Sequence, residues 1–173
     1  ALSMHTTGQL EFDGTAEYTV AVKASTSTTL KNVSFELPIN AAAATYMMGL
    51  GQKGGVRPAD FHWTWDVAKK NQDAAWIGDV NAGVQFTLKD EHYVRPLNTN
   101  FYLSKPLIAP RSWANEGKGG CDITQRGERV LVNCYSGVHT IAAGDSLRFD
   151  FRLMITPFKT LDTKGQWATR YFH

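Results

Sequence analysis

Long apolar runs are missing from this chain of 173 residues. None approaches the roughly 20 consecutive apolar residues that cross a bilayer, so no membrane span is expected. Charge is also scarce: Asp, Glu, Lys and Arg make up 20% of the residues, and the formal net charge is +2. Lys and Arg are scattered and form no basic stripe, which argues against a nucleic-acid partner. His62, His92 and His139 stand apart, without a ligand spacing such as His-Glu-x-x-His, so no metal is expected. No Gly-x-Ser-x-Gly elbow and no Cys-His pair marks a nucleophile. No signal peptide is visible, and the opening Ala1-Leu2-Ser3-Met4 suits a processed or excised chain. Helix signals are few. Asn40 followed by Ala41–Ala44 is the best helix candidate, and it is too short to stand alone.

What the chain does have is Gly, Thr, Val and aromatic residues, a composition that favours strands. Leu10-Glu11-Phe12 before Asp13-Gly14 predicts a strand ending in a turn. Tyr18, Val20 and Val22 alternate with polar or small residues, as do Val33, Phe35 and Leu37, with Pro38 placing the second strand at an edge. Phe61–Trp65, Ala74–Ile77, Gly83–Lys89 and residues 98–103 follow as strands. Residues 68–72 predict a polar connection. Asp90-Glu91-His92 predicts a turn, and 105–120 a long Pro- and Gly-rich loop carrying Trp113. The last third is hairpin-like. Leu147, Phe149, Phe151, Leu153 and Ile155 show the clearest alternation in the chain, after a turn at Gly144-Asp145. About ten short strands with many turns predict an all-β antiparallel sandwich with long Gly/Pro-rich loops.

The most unusual stretch runs from Tyr46 to Gly83. Gly49-x-Gly51-x-x-Gly54 matches a dinucleotide fingerprint as a string. The fingerprint needs a helix opening at the glycines, and Gly55-Val56-Arg57-Pro58 opposes one. The glycines instead suit positive φ or close backbone approach, and no cofactor is expected. Trp63 and Trp65 fall on one strand face, opposite His62, Thr64 and Asp66. Trp63, Trp65, Trp76 and Trp113 could offer indole faces to a sugar, although paired tryptophans on one strand face are more often core. Trp113, on its Gly-rich loop, is the better candidate for exposure. Asp60, Asp66, Asp79, Asp90 and Glu91 are available carboxylates, but no spacing singles out an acid–base pair. Candidates for ligand or domain contact are Arg57, Trp63, Trp65, Asp66, Trp76, Asp79, Asn81 and Trp113.

If Gly127-Glu128 is a two-residue hairpin turn, counting outward sets Cys121 opposite Cys134, on the face carrying Ile123, Val130 and Val132. A cross-strand disulfide and a buried pair of free thiols both fit. The disulfide would imply an oxidising compartment.

Three passages carry a family resemblance. They are Met48-Gly49-Leu50-Gly51 with Gly54-Gly55, Arg57-Pro58 and Trp63-x-Trp65-Asp66; Trp76 through Gly83; and Ile155-Thr156-Pro157-Phe158-Lys159 with Leu161-Asp162 and Arg170–His173. Together they resemble the β-sandwich region preceding the catalytic barrel in bacterial proteins related to glycoside hydrolase family 123, many of them from Bacteroides-type gut bacteria. The resemblance implies a sandwich over 1–158 and a linker over 159–173 leading toward a catalytic barrel. The family's catalytic acidic pair would lie beyond His173, so no catalytic residue is carried onto this chain. The implied role is that of a non-catalytic domain packing on the barrel and lending loops to a glycan cleft, in a periplasmic or extracellular protein. The competing expectation is an independent carbohydrate-binding module using exposed tryptophans.

Overall fold

A computed structural model describes residues 1–65, 73–92, 108–160 and 162–169. Asp66, the polar connection over 68–72 and the expected strand over 98–103 lie outside the described residues. Thirteen strands and only short helices are found among the described residues, and every strand pairing is antiparallel. The chain is an all-β sandwich.

One sheet has seven strands. In spatial order these are β1 (Leu2–Leu10), β2 (Thr15–Ala24), β13 (Ser146–Thr156), β9 (Gly83–Lys89), β8 (Ala74–Gly78), β5 (Tyr46–Gly49) and β6 (Gln52–Val56). The facing sheet has four, β4 (Ser34–Asn40), β11 (Arg129–Tyr135), β10 (Gly120–Arg126) and β7 (Asp60–Thr64). A two-stranded ribbon of β3 (Thr28–Leu30) and β12 (His139–Ile141) packs on the larger sheet, its Ile141 and Leu30 clustering with Val22 and Ala24.

The strand with the clearest alternation organises the larger sheet. Strand β13 pairs with β2 on one side and β9 on the other. Phe149 is fully buried, and Phe151 stacks on Tyr18 with centroids 4.9 Å apart and meets Phe35 of the facing sheet at 4.6 Å. The alternate residues point outward. There Arg148 bonds both oxygens of Asp150 (2.9 and 3.1 Å), and Arg152 and Lys89 both pair with Glu17. Between the sheets, Phe86, Ile77, Ile123, Val130 and Val132 are buried completely. Each such side chain contributes about 1.5–3 kcal/mol through removal from water. Strand β4, with Pro38 in it, pairs only with β11 among the described residues and is an edge there.

Four features differ from the sequence expectation. Strand β1 begins at Leu2, although it is exposed along its length, because β2 supplies its whole ladder. Strand β6 contains Gly54 and Gly55, both at positive φ, and owes its strand character to pairing with β5. The long loop carries a helical turn, α1 (Arg111–Ala114), running into a 3-10 turn at Asn115–Gly117. The alanine run forms only a 3-10 turn, Ala41–Ala43, capped by Asn40 Oδ1, which accepts from the Ala42 N–H at 2.9 Å.

The glycine string is a hairpin. Gly49 sits opposite Gln52, and the two residues between them, Leu50 (φ 47°) and Gly51 (φ 88°), both lie in the left-handed region, as a type I′ turn requires. A Cβ on Gly49 would come within 2.2 Å of the Ala74 carbonyl oxygen. Close backbone approach and positive φ together account for the glycines.

Candidate functional site

The strand registers gather exposed apolar side chains at one end of the seven-stranded sheet. Val56 faces Tyr46, Tyr46 faces Gly78, Gly78 faces Gly83, and Gly83 faces Thr156 at the end of β13. Met154 faces Thr15, just after the β1–β2 turn that carries Phe12. This end therefore presents Phe12 (82% exposed), Val56 (77%), Val80 (84%), Tyr46, Ile155 and Phe158. The row spans six strand spacings, about 29 Å. Phe158 packs over Gly14, whose positive φ (85°) and missing Cβ make room for the ring.

The outer face next to this end is also apolar. Met48 and Trp76 are cross-strand partners, and Met48 is exposed. The Trp76 indole lies across Gly83 and Gly78: a Cβ on Gly83 would sit 2.3 Å from its ring atoms, and one on Gly78 2.4 Å. Its Nε1–H donates to Thr156 Oγ1 at 3.0 Å. The two glycines and the hydroxyl hold the ring flat against the sheet, the arrangement by which an aromatic residue covers cross-strand glycines. Asp79 and Asn81 form the adjacent β8–β9 turn. Asp79 Oδ1 accepts from the backbone N–H groups of Ala82 (2.8 Å) and Asn81 (2.7 Å), which hold its carboxyl below the usual range.

The other residues singled out by sequence are placed differently. Arg57 turns inward and is buried. Its Nε donates to the Ala44 carbonyl (2.9 Å), one terminal nitrogen to the Pro58 carbonyl (2.6 Å) and the other to Gln125 Oε1 (2.6 Å). It ties the edge of the larger sheet to β10 of the facing one. Trp63 is buried in the core, and Trp65 packs edge-on against it with centroids 4.7 Å apart. The expected exposure of Trp113 is corrected: it is 2% exposed, donates from Nε1 to the Asp150 carbonyl at 2.8 Å, and meets Phe149 edge-on. Exposure failed there because the helical turn α1, unseen in the sequence, drives the indole into the core. The described residues hold no exposed row of tryptophans aligned over a groove.

At the opposite end, where β13 begins and β9 finishes, lies a cleft of about 690 Å³. Trp65, Ser112, Asn115, His139, Leu147 and Arg148 are among its walls. One wall is α1 and the turn after it, and its position is fixed from several sides. Trp113 anchors it in the core. Asn115, at φ 41°, donates from Nδ2 to the carbonyls of Ser136 (2.7 Å) and Val138 (2.8 Å). Gly119 passes so close to Trp113 that a Cβ would fall 1.7 Å from its carbonyl oxygen. Asp90 closes the back, accepting from the N–H groups of Arg111 (2.6 Å) and His92 (3.0 Å). His139 bonds Ser136 Oγ at 2.9 Å; since that hydroxyl donates to the Val33 carbonyl, the His139 proton belongs on Nε2. Burial, and then Lys118, push the His139 pKa down, so the ring is neutral. Of this wall, sequence had singled out Trp65 and had named Asp90 and Glu91 among the available carboxylates; it had not grouped them with Ser112, His139 and Arg148.

Cys121 and Cys134 are cross-strand partners, as the turn at Gly127-Glu128 predicted. They are buried free thiols with sulfurs 3.4 Å apart.

No curated protein matches the chain. Residues 1–157 match the family described as glycoside hydrolase 123, third domain, and the chain belongs to that family.

Proposed function

We propose that this chain is a non-catalytic accessory domain that packs on the catalytic barrel of a glycoside hydrolase through the apolar end of its seven-stranded sheet. The observation that carries the reading is the gathering of Phe12, Tyr46, Val56, Val80, Ile155 and Phe158 at one end. Large exposed apolar surface of this kind marks a surface meant to be covered. The occupant is argued from two facts. Membership of a third-domain family implies other domains in the same protein. Strand β13 also delivers the chain to that same end, where residues 157–160 leave the sheet. The flat Trp76 face and Met48 extend the surface, and Asn81 on the β8–β9 turn stands at its margin, where it could reach a glycan held by the barrel. The carboxylates support a non-catalytic role. Asp79 is committed to its turn, Asp90 to backbone N–H groups, and Asp60 to Arg126 at 3.0 Å.

The test compares Val56→Asp combined with Val80→Asp in the isolated chain and in the full-length protein. Both positions are exposed, so the isolated chain keeps its melting temperature. In the full-length protein the paired change separates one unfolding transition into two and lowers glycosidase activity. An unchanged full-length protein would overturn the reading.

A further inference from the structure

Among the described residues, strand β1 is the edge with least to discourage a further strand. Charges, proline, irregular backbone and short length are what keep edges from pairing. Strand β6 contains Lys53 and two glycines, β4 contains Glu36 and Pro38, and β7 begins with Asp60. The ribbon strands β3 and β12 have three residues each. The nine residues of β1 include no Asp, Glu, Lys, Arg or Pro, and its ladder with β2 runs without a bulge. Its other side has no strand partner among the described residues, and every residue in it is exposed.

Which backbone groups it offers follows from that ladder. Just beyond its two ends, the Ser25 N–H donates to the Ala1 carbonyl (2.9 Å) and the Glu11 N–H to the Thr15 carbonyl (2.8 Å). Bonded pairs alternate along an antiparallel ladder, so Ser3, His5, Thr7 and Gln9 turn their N–H and C=O toward β2. Leu2, Met4, Thr6, Gly8 and Leu10 turn theirs to the open side. These same five residues lie on the core face of the sheet, because they sit opposite Ala24, Val22, Val20, Tyr18 and Ala16. Val22 and Ala24 are buried there, yet Leu2, Met4 and Leu10 are 46%, 73% and 70% exposed. The smaller sheet does not reach over β1.

We infer that β1 pairs with β1 of a second copy about a two-fold axis at Thr6, joining two seven-stranded sheets into one. The strand is complementary to its own reverse. With Thr6 opposite Thr6, Leu2 meets the other copy's Leu10, Met4 meets Gly8, Ser3 meets Gln9 and His5 meets Thr7. The five residues with open N–H and C=O groups then fall opposite one another, as bonded pairs must. No like charges meet. Gly8 has no Cβ to obstruct Met4, and the Tyr18 ring, 3.1 Å from where that Cβ would stand, offers the thioether an aromatic surface. A two-fold pairing requires such self-complementarity, whereas a strand from an unrelated partner does not. Nine residues a side, against roughly 20–30 in a standard interface, set a weak association in the micromolar range. The β1 edge is separate from the apolar end of the sheet, so the inference does not rest on the docking proposal.

Sedimentation equilibrium of the full 173-residue chain, from about 10 μM to about 1 mM, should show a monomer–dimer equilibrium. Thr6→Lys sets two like charges opposite each other at the axis and should weaken the dimer about tenfold or more, as should Thr6→Asp. Mixing the two variants should restore a dimer containing one of each. Position 6 is exposed, so circular dichroism should show the fold kept in both. Hydrogen exchange on the unaltered chain needs no variant: the amides of Met4, Thr6 and Gly8 should slow as concentration rises, while those of Ser3, His5 and Thr7 are protected throughout. The inference is overturned by a monomer at the highest concentration, by exchange at Met4, Thr6 and Gly8 that ignores concentration, by a dimer that Thr6→Lys leaves intact, or by a mixed pair that does not form. It is equally overturned by a dimer lost in Val56→Asp with Val80→Asp and kept in Thr6→Lys, which would place the association at the apolar end.

Discussion

Replacing Arg57 by Met separates two roles that sequence alone could not. If Arg57 faced a neighbouring domain, its loss would leave the isolated chain as stable as before. The structure instead gives it three hydrogen bonds inside the domain. Met keeps most of the apolar stem, so the change chiefly removes the guanidinium. The Ala44 carbonyl, in a fully buried residue, then loses its partner, at about 1–3 kcal/mol. The bonds to Pro58 and Gln125 are less enclosed and contribute about 0.5–1 kcal/mol each. Relief of the guanidinium's own burial, which pushes its pKa down, offsets part of this. A net loss of about 2–3 kcal/mol remains, which at a urea m-value of about 2 kcal/mol/M lowers the midpoint by roughly 1–1.5 M. Arg57→Lys, able to remake at most part of the fork, should fall between. Circular dichroism in urea on the isolated chain is the assay. A midpoint unchanged in Arg57→Met would refute the strut and return Arg57 to the surface.

Gly83→Ala should destabilise by about 1–3 kcal/mol, since its Cβ would meet the Trp76 ring at 2.3 Å and lift it from Thr156; unaltered tryptophan fluorescence and melting temperature would contradict this. The folded-state pKa of His139 lies below its ordinary 6.5, so its contribution is complete above that pH and is lost as pH falls through the lower value. Melting temperature should therefore drop on acidification below about pH 6.5, and His139→Gln should flatten that part of the profile. Burial pushes Glu17 up, but hydrogen bonds from Lys89 and then Arg152 outweigh it, so its contribution fades only below about pH 4.5. Burial and the neighbouring Cys121 raise the Cys134 thiol well above its ordinary range, so the reduced native protein should resist iodoacetamide at mildly alkaline pH and react after unfolding. Rapid alkylation of the native protein would show that the pair is not enclosed.

The legible parts of the fold were those with strong local periodicity. Strands β2, β9 and β13 each alternate apolar and polar residues, and each lies near the middle of the larger sheet. The β10–β11 register followed from a single turn, because once Gly127-Glu128 closes the hairpin every opposite pair is determined. Strands β1, β3 and β6 were not legible. They carry polar residues or glycine and become strands only because a partner's ladder satisfies their backbone. The Tyr46–Gly83 stretch was conspicuous for the right residue types but the wrong members. Its exposed large apolar side chains are Tyr46, Met48, Val56 and Val80, while Arg57 and Trp63 are buried. Tryptophan content alone says nothing about which way an indole turns.

Sequence by itself determined the class of fold, the hairpin that pairs the cysteines and the family, because these depend on alternation, turn chemistry and residue strings that are local. Tertiary structure alone decided what faces solvent. Phe12, Val56, Val80 and Phe158 are far apart in the chain and meet at one end only through the registers of the seven-stranded sheet. Trp65, Asp90, Ser112, His139 and Arg148 border one cleft because β9 finishes beside the start of β13 and the Trp113 anchor lays α1 across them. Strand pairing over long sequence separations carries no local signature, so the surfaces it assembles can be seen only once the sheet is built.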